Sequence, residues 1–295
     1  MNKQKSFTLI ELLVVIVIIG ILAGVIMIST SSSIDKANIS KIRAFAENVK
    51  NSMLLNLISE WNFDEIAGDL NLALTDNTNV SDTWGVNDGK TYYGPILKGE
   101  NDCVVGKCLE FNGNKTYVSI GSHPSLNIRE DITIEYWVRQ HSGGNINNWS
   151  QSTVSRRDCY DVCGNHFYTK SFPNYVINGQ TITNKWIHVV YVYDYLKTTG
   201  FFYMDGKPKN TKDLQVAYPG LTDYRLGSVC GELSLSHQGY TFNGRLDEVR
   251  LYNAALSSSQ IKQNYIAGLN LMLANGNISK QEYNERINAL AYDKE

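Results

Sequence analysis

Proline and strongly charged segments are scarce in this sequence. The chain of 295 residues has five prolines, and no proline precedes Pro95. Lys and Arg number 27 against 29 Asp and Glu, and no block of basic residues occurs anywhere. The lack of a basic block argues against nucleic acid as a partner.

Sequence motifs of several enzyme classes are also missing. The chain contains no G-x-S-x-G, no Gly-rich phosphate-binding loop with Lys and Ser or Thr, and no H-E-x-x-H. A glycoside hydrolase needs two carboxylates aimed at one bond. Asp247 and Glu248 are adjacent, so in a strand their side chains point to opposite faces. We therefore expect no enzymatic activity.

The first 28 residues combine a basic leader with a long apolar run. Lys3 and Lys5 precede Phe7, and residues 12–28 carry no charge. This apolar segment is long enough to cross a bilayer. Glu11 is out of place in an ordinary anchor, because a lone carboxylate in hydrocarbon costs several kcal/mol. An uncleaved anchor and a secretory signal peptide are the alternatives, and no Ala-x-Ala site follows the run.

Residues 5–12, K-S-F-T-L-I-E-L, resemble the class III signal of type IV pilins and pseudopilins, whose usual core is K-G-F-T-L-I-E-L. The resemblance implies that a prepilin peptidase removes residues 1–6, cutting after Ser6, and methylates the new N-terminus at Phe7. It also implies that Glu11 pairs with the N-terminal amine of a neighbouring subunit, which would make a buried carboxylate tolerable. Lys3 and Lys5 would hold the leader at the cytoplasmic face.

Two positions depart from the pilin pattern. Ser6 stands where most relatives have glycine, which weakens the cleavage prediction only slightly because small residues are tolerated there. Ile28 occupies the place where many major pilins have proline. This second departure favours a minor pilin or pseudopilin over a bulk filament subunit.

The apolar helix is predicted to continue beyond the membrane segment, from Phe7 to Ser59. Apolar residues recur near helical spacing at Ile34, Ile42, Phe45, Val49, Met53 and Leu57. Such a helix would extend roughly 80 Å at 1.5 Å per residue. We assign residues 7–60 to a membrane and stalk helix, with a break at the hydroxyl-rich residues 29–33 as the alternative.

From Trp61 onward, short alternating or β-branched runs predict strands. The clearest are residues 132–139, 186–193, 201–204 and 246–252. The pairs Asn112–Gly113, Asp205–Gly206 and Asn243–Gly244 predict turns, since glycine supplies positive φ. Many short strands with polar turns are typical of a two-sheet sandwich or jelly roll. The fold class is therefore α+β, with a mainly antiparallel sandwich behind the N-terminal helix.

Six segments in order resemble LamG-like, concanavalin A-like jelly-roll domains. They are W-N-F-D-E at 61–65, G-K-C-L-E-F-N-G at 106–113, I-T-I-E-Y-W-V at 132–138, W-I-H-V-V at 186–190, F-Y-M-D-G at 202–206 and F-N-G-R-L-D-E-V-R-L-Y-N at 242–253. The resemblance covers residues 61–267. It implies a domain of this type displayed after the stalk.

Residues 268–295 are predicted to form a helical tail. Ser257 with Gln260, and Ser279 with Glu282, have the form of capping boxes, and Asn275–Gly276 suits a helix end between them. The expected element is a helical hairpin over residues 271–290. It would serve either as a packing appendage or as an oligomerisation module.

All five cysteines lie beyond the membrane segment. In an oxidising compartment the simplest local disulfides are Cys103 with Cys108 and Cys159 with Cys163, which leaves Cys230 as an odd thiol. A zinc site is the alternative, but the spacings form no repeated C-x-x-C pair and no histidines cluster with them.

Binding residues are harder to identify from the sequence. Domains of the LamG-like class sometimes hold one Ca²⁺ ion, and Asp64, Asp88 and Asp247 are the candidates, although solvated turn carboxylates are the alternative. Two loops, residues 141–149 and 156–167, have the aromatic and amide composition of carbohydrate sites. Their candidate contact residues are Asn145, Asn148, Trp149 and His166. No other cofactor is expected.

These observations predict a type IV pilin-like filament subunit that displays a LamG-like head for adhesion or for binding a glycan or protein. Its expected partners are other pilin subunits, prepilin peptidase, the assembly machinery and the inner membrane before assembly. The expected location is the membrane first and the extracellular filament afterwards. The alternative is a membrane-tethered lectin-like module that does not polymerise.

Overall fold

The computed structural model describes residues 37–141, 152–156, 168–170, 176–177, 180–181, 184–197, 199–209, 224–227 and 242–291. The chain divides into two compact units, Met1–Phe45 and Ala46–Glu295. The second unit is called the head below. Within the described ranges no helix is both long and apolar enough to span a bilayer. The predicted leader and membrane segment, residues 1–28, lie outside those ranges.

Strands dominate the described part of the head, and helices stand at its two ends in sequence. The helices are α1 (residues 37–51, beginning in the first unit), α2 (Ser258–Ala274) and α3 (Lys280–Ala291). The strands are β1 (Leu57–Trp61), β2 (Asn79–Val80), β3 (Gly89–Tyr92), β4 (Ile96–Lys98), β5 (Cys108–Asn112), β6 (Tyr117–Gly121), β7 (Ile132–Gln140), β8 (Ser152–Arg156), β9 (Tyr168–Lys170), β10 (Val176–Ile177), β11 (Gln180–Thr181), β12 (Trp186–Asp194), β13 (Thr199–Met204), β14 (Lys207–Lys209), β15 (Tyr224–Leu226) and β16 (Asn243–Tyr252).

The strands form two main antiparallel sheets. The eight-stranded sheet has the order β14-β13-β12-β7-β16-β5-β4, and β1 also pairs with β16. The six-stranded sheet has the order β2-β3-β6-β15-β8-β9, and β10 with β11 forms a separate hairpin. Inward side chains of both sheets share one core, in which Trp61, Phe111 and Ile134 meet Val118 and Leu226. The head is therefore a β-sandwich, as predicted.

Helices cover the outer face of the eight-stranded sheet. Strands β7 and β12 are buried on both faces, because their outward residues pack under the helices. Trp137 and Trp186 pack with Tyr265, Leu269 and Met272 of α2. A second group joins Val190 and Val192 of β12 to Val49 at the end of α1 and to Met53. The sandwich thus has a third, helical layer on one side.

The predicted C-terminal helical pair is confirmed. Ser257 and Gln260 form a complete capping box at the start of α2. Ser279 Oγ accepts a hydrogen bond of 3.1 Å from the Glu282 backbone N–H at the start of α3. Gly276 has φ 75° in the turn between the helices. The capping residues in the sequence therefore predicted where both helices begin.

The prediction that the N-terminal helix runs to Ser59 is wrong. The helix ends at residue 51, and Leu57–Trp61 is strand β1, paired with the last residues of β16. Pairing with β16 and burial of Trp61 outweigh the helical periodicity that continued through Met53 and Leu57. Asn243–Gly244 is also not a turn, since it begins β16.

Candidate functional site

On strands β3, β6 and β15 of the six-stranded sheet, every second side chain points away from the core. Thr91, Val118 and Leu226 point inward and are buried. Because side chains alternate along a strand, their sequence neighbours point outward. The outward side chains on these strands are Lys90, Tyr92, Tyr117, Ser119 and Arg225.

Three tyrosines meet on this outer face, and with Arg225 they are called the tyrosine cluster. Tyr92 and Tyr117 are direct cross-strand partners. Their rings stack with centroids 5.0 Å apart and planes inclined by 17°. The Tyr93 ring lies 6.1 Å from that of Tyr117 at an angle of 42°. Tyr93 is 51% exposed, so the cluster presents an aromatic surface to solvent.

The backbone at Tyr93 explains how two successive residues reach one face. Tyr93 has φ 58°, a left-handed conformation that bulky residues rarely adopt, and Gly94 follows with φ 69°. The Tyr93 N–H donates a hydrogen bond of 2.7 Å to Oδ1 of Asp76. This turn sends the Tyr93 side chain toward Tyr117 instead of the opposite face of the strand.

Positive charge borders the aromatic rings. The guanidinium carbon of Arg225 lies 4.7 Å from the centroid of the Tyr117 ring, within cation–π range. Arg225 and Lys90 both pair with Ser119, from its two sides, so two cations share one row across the sheet. Aromatic faces suit the C–H faces of sugars, and the surrounding cations and hydroxyls suit their polar rims. The surface thus places aromatic rings, cations and a hydroxyl side by side.

The sequence relationship agrees with this architecture. Residues 112–262, about half of the chain, match the concanavalin A-like lectin/glucanases superfamily. The chain belongs to this superfamily. The matched range includes β6 and β15 of the six-stranded sheet and β7, β12 and β16 of the eight-stranded sheet. It therefore spans both layers of the concanavalin A-like sandwich.

The N-terminus carries a second, independent signature. Residues 1–27 match the prokaryotic N-terminal methylation motif. A fimbrial protein of Moraxella nonliquefaciens is 33% identical over 128 residues, which are 39% of this chain and 81% of that protein. Together these matches confirm a type IV pilin-type protein with a concanavalin A-like domain.

Solved structures resemble the sandwich at low sequence identity. The binding domain of Paraclostridial Mosquitocidal Protein 1 is 16% identical with a TM-score of 0.50, over 73% of this chain and 53% of that chain. A Trypanosoma rangeli sialidase is 14% identical with a TM-score of 0.47, over 72% of this chain and 32% of that chain. This chain thus spans about half the length of the first of these solved chains and about a third of the second. At 16% identity, the similarity to the mosquitocidal-protein binding domain shows the fold alone.

A disulfide closes a short loop at the edge of the concanavalin A-like head. Cys103 and Cys108 are bonded, as predicted, with Cα atoms 5.5 Å apart, and both are fully buried. Asn277, in the turn between α2 and α3, donates hydrogen bonds of 2.7 Å to the carbonyl oxygens of Glu100 and Cys103. The loop therefore ties the C-terminal helices to the sandwich.

The three predicted calcium residues all accept backbone hydrogen bonds. Asp64 accepts from the Lys107 N–H at 2.7 Å, and Asp247 accepts from the Val104 and Val105 N–H groups at 2.8 and 3.1 Å. Both thus hold the disulfide loop, and burial raises the pKa of each. Asp88 lies apart and accepts from the Asp82 N–H at 2.8 Å.

Within the described ranges, no group of three or more His, Cys, Asp or Glu side chains could hold a metal ion. Calcium binding by Asp64, Asp88 and Asp247 remains a prediction. The other predicted site residues lie outside the described ranges: Ser6, Phe7, Glu11, Asn145, Asn148, Trp149, Cys159, Cys163, His166 and Cys230.

Sequence reasoning missed a buried polar network between the eight-stranded sheet and α2. His188 Nε2 and Glu135 Oε1 are 2.7 Å apart, and both side chains are buried. The Glu135 carboxylate also accepts from Asn264 Nδ2 at 2.7 Å and from the Tyr252 hydroxyl at 3.2 Å. The signal in the sequence is a single Glu or His inside an otherwise apolar strand. The network is buried and links side chains of β7, β12, β16 and α2, so its role is to hold these elements together.

A second ion-pair group surrounds the buried Glu60 of β1. Glu60 is 2.8 Å from Arg250 Nε and 2.7 Å from Lys50 Nζ, and Arg250 also pairs with Glu248. Burial alone would raise the pKa of Glu60, but Arg250 and Lys50 outweigh it and lower the pKa from 4.5 to about 2. Glu248 has φ 51° at a bulge in β16, where the register with β7 shifts. Because of the bulge, Leu246 and Val249, three residues apart, both contact the core, which strict alternation did not predict.

Proposed function

We propose that this protein is a subunit of a type IV pilus-like filament whose concanavalin A-like head binds a saccharide through the tyrosine cluster. The methylation motif and the similarity to a fimbrial protein support the filament part. The observation that carries the binding part is the stack of Tyr92 and Tyr117, beside exposed Tyr93, on the sheet face opposite the helical layer.

Before assembly, the chain is anchored in the inner membrane by an apolar helix over residues 7–28. Prepilin peptidase cleaves after Ser6 and methylates Phe7, and Glu11 pairs with the N-terminal amine of a neighbouring subunit. The head then stands on the extracellular filament and acts by binding, without catalysis. The sandwich begins at strand β1, Leu57–Trp61, so the residues before it connect the membrane segment to the head.

The tyrosine surface suits a sugar for three physical reasons. Stacked aromatic rings held by neighbouring strands need little ordering when a ligand binds, so less entropy is lost. The exposed ring of Tyr93 offers a face that matches the apolar C–H side of a pyranose ring, and the stack of Tyr92 and Tyr117 supports it. Lys90 and Ser119 on the same sheet face supply hydrogen-bond donors at the rim. An adhesive head on a filament would use many such weak sites together, which raises the overall avidity.

A Tyr117→Ala variant tests the binding site. Full-length protein in detergent is applied to a panel of immobilised neutral and acidic oligosaccharides, beside the wild type and Tyr195→Ala. Tyr195 is an exposed tyrosine in the β12–β13 turn, outside the cluster. We expect Tyr117→Ala to weaken binding about tenfold or more, as loss of a stacking ring predicts, and Tyr195→Ala to bind normally. Equal binding by all three proteins would contradict the assignment.

A Glu11→Ala variant tests the filament role against the alternative of a tethered module. Filament incorporation should fail, because the apolar segment loses the carboxylate that pairs with the neighbouring amine. A tethered binding module would show unchanged surface display and no filament association in either form. Immunogold electron microscopy of both strains separates these results.

A further inference from the structure

Exposed apolar side chains gather at one end of the sandwich, and we propose that this end packs against a second copy of the chain. The inference rests on the proposed filament role. The group is called the basal surface and consists of Leu55, Trp84, Val86 and Leu196. Leu55 is 96% exposed and Leu196 91%, the two highest values among the large apolar residues of the described ranges.

The strand register places Leu55 and Leu196 at the same end of the eight-stranded sheet. Leu57 begins β1 and pairs with Tyr252, the last residue of β16. Tyr252 in turn pairs with Thr133, near the start of β7. The start of β7 pairs with the end of β12, and residues 195–197 form a turn that leads on to β13. Leu55 precedes β1 and Leu196 lies in that turn, so both stand at this end.

Trp84 and Val86 extend the basal surface beside β1. The Trp84 indole N–H donates a hydrogen bond of 2.8 Å to the carbonyl of Leu57. Its polar atom is thus used within the head, while the ring is 45% exposed, so the exposed part is apolar. Val86 follows in the same loop and is 69% exposed. Isolated exposed leucines are ordinary, but several at one end of a domain mark an interaction surface.

Connectivity argues for a second copy as the occupant. Residues 46–56 lead into β1 at this end, and they are the covalent link to the segment with the methylation motif. Copies that associate through their N-terminal segments therefore bring this same end of each head into proximity. An apolar surface at that end is buried by assembly, whereas one elsewhere on the head would stay exposed on the filament.

The layout of the basal surface favours a head-to-tail contact. Strand β13, beside Leu196, and strand β1, beside Leu55, are four strand positions apart through β12, β7 and β16. At about 4.8 Å per strand, the two sides are separated by roughly 19 Å. Leu196 of one copy can then meet the Leu55 and Trp84 side of the next. Such a heterologous contact repeats without closing and generates a helical filament.

Photo-crosslinking tests the contact directly. The photoreactive residue p-benzoylphenylalanine replaces Leu196 in one strain and Leu72 in a control strain. Leu72 is 58% exposed beside the edge strand β4, outside the basal surface. After irradiation of sheared filaments, we expect a covalent dimer of this chain from position 196 and at least tenfold less dimer from position 72. A position-196 product with lipid or another protein alone overturns the proposal.

Charged variants give the second measurement. Leu196→Asp should reduce recovery in filaments at least tenfold while its level in membranes stays at the wild-type value, and Leu72→Asp should change neither. Equal recovery of both variants overturns the basal contact while leaving the filament role intact. Absence of the wild type from filaments overturns the proposed function instead; the membrane fraction is then irradiated, where a dimer from position 196 supports the contact and no dimer overturns it.

Discussion

Asn264 of helix α2 donates a hydrogen bond of 2.7 Å from Nδ2 to Oε2 of Glu135 in strand β7. Both side chains are buried, and Glu135 is at the same time 2.7 Å from His188. Burial alone would raise the pKa of Glu135, but His188, Arg250 and Asn264 together outweigh it and lower the pKa. Helix α2 is therefore fixed to the sandwich by a hydrogen bond to a carboxylate as well as by apolar packing.

Replacing Asn264 by alanine should destabilise the head. The substitution leaves Oε2 of a buried carboxylate with the longer Tyr252 bond alone, and such a loss costs about 1–3 kcal/mol. Urea unfolding of the full-length protein in detergent, followed by tryptophan fluorescence, measures the change. Gln281→Ala on the exposed side of α3 is the control and should change stability by less than about 0.5 kcal/mol. Equal effects would show that the Asn264 bond contributes nothing.

Acid should destabilise the head through Glu60. Its folded pKa, about 2, is below the value of 4.5 for a free side chain, so the ionised form stabilises the fold. That stability is complete above pH 4.5 and is lost as the pH falls from 4.5 toward 2, amounting to about 3 kcal/mol. Glu60→Gln should flatten the unfolding free energy over this range, whereas the exposed Glu285→Gln should not. If the unfolding free energy of Glu60→Gln fell with pH as steeply as that of the wild type, Glu60 would not be the source of the acid sensitivity.

The Cys103–Cys108 disulfide should resist reduction in the folded protein. Both sulfur-bearing side chains are fully buried, so a thiol reagent reaches them only after unfolding. Alkylation and mass spectrometry after dithiothreitol treatment, with and without urea, measure access. The free energy of unfolding of the Cys103→Ser, Cys108→Ser double variant should be about 2 kcal/mol lower than that of the wild type, as expected for a loop this short. Rapid labelling without urea would contradict the structure.

Gly268→Ala should destabilise the head although alanine is the better helix former. A Cβ atom at residue 268 would lie 2.4 Å from Cζ2 of the buried Trp137 ring. The helix-propensity gain is about 1 kcal/mol, and forcing a buried ring to move costs about 1–3 kcal/mol. Asn284→Ala on the exposed side of α3 adds propensity without a clash and should be neutral or slightly stabilising. A more stable Gly268→Ala variant would show that α2 can shift away from β7.

Local chemistry made part of the fold predictable. The runs at residues 132–139 and 186–193 are strands β7 and β12 with ends shifted by one residue, since apolar β-branched stretches suit a sheet buried on both faces. Asp205–Gly206 forms the β13–β14 turn with positive φ at both residues, as predicted. Ser257 and Gln260 predicted the start of α2.

Contacts between distant segments account for what the sequence did not predict. The tyrosine cluster needs the register that pairs Tyr92 with Tyr117 and the left-handed conformation of Tyr93, neither of which has a local signal. Glu135 and His188 are 53 residues apart, and their contact follows from strand pairing. Likewise, β1 is a strand because β16 is available to pair with it.

The most direct test of the whole account is the intact mass and N-terminal sequence of this protein recovered from sheared surface filaments. We expect a mature chain that begins at methylated Phe7 and is present in the filament fraction. A full-length chain that begins at Met1 and is confined to membranes would contradict the filament role and leave a tethered binding head.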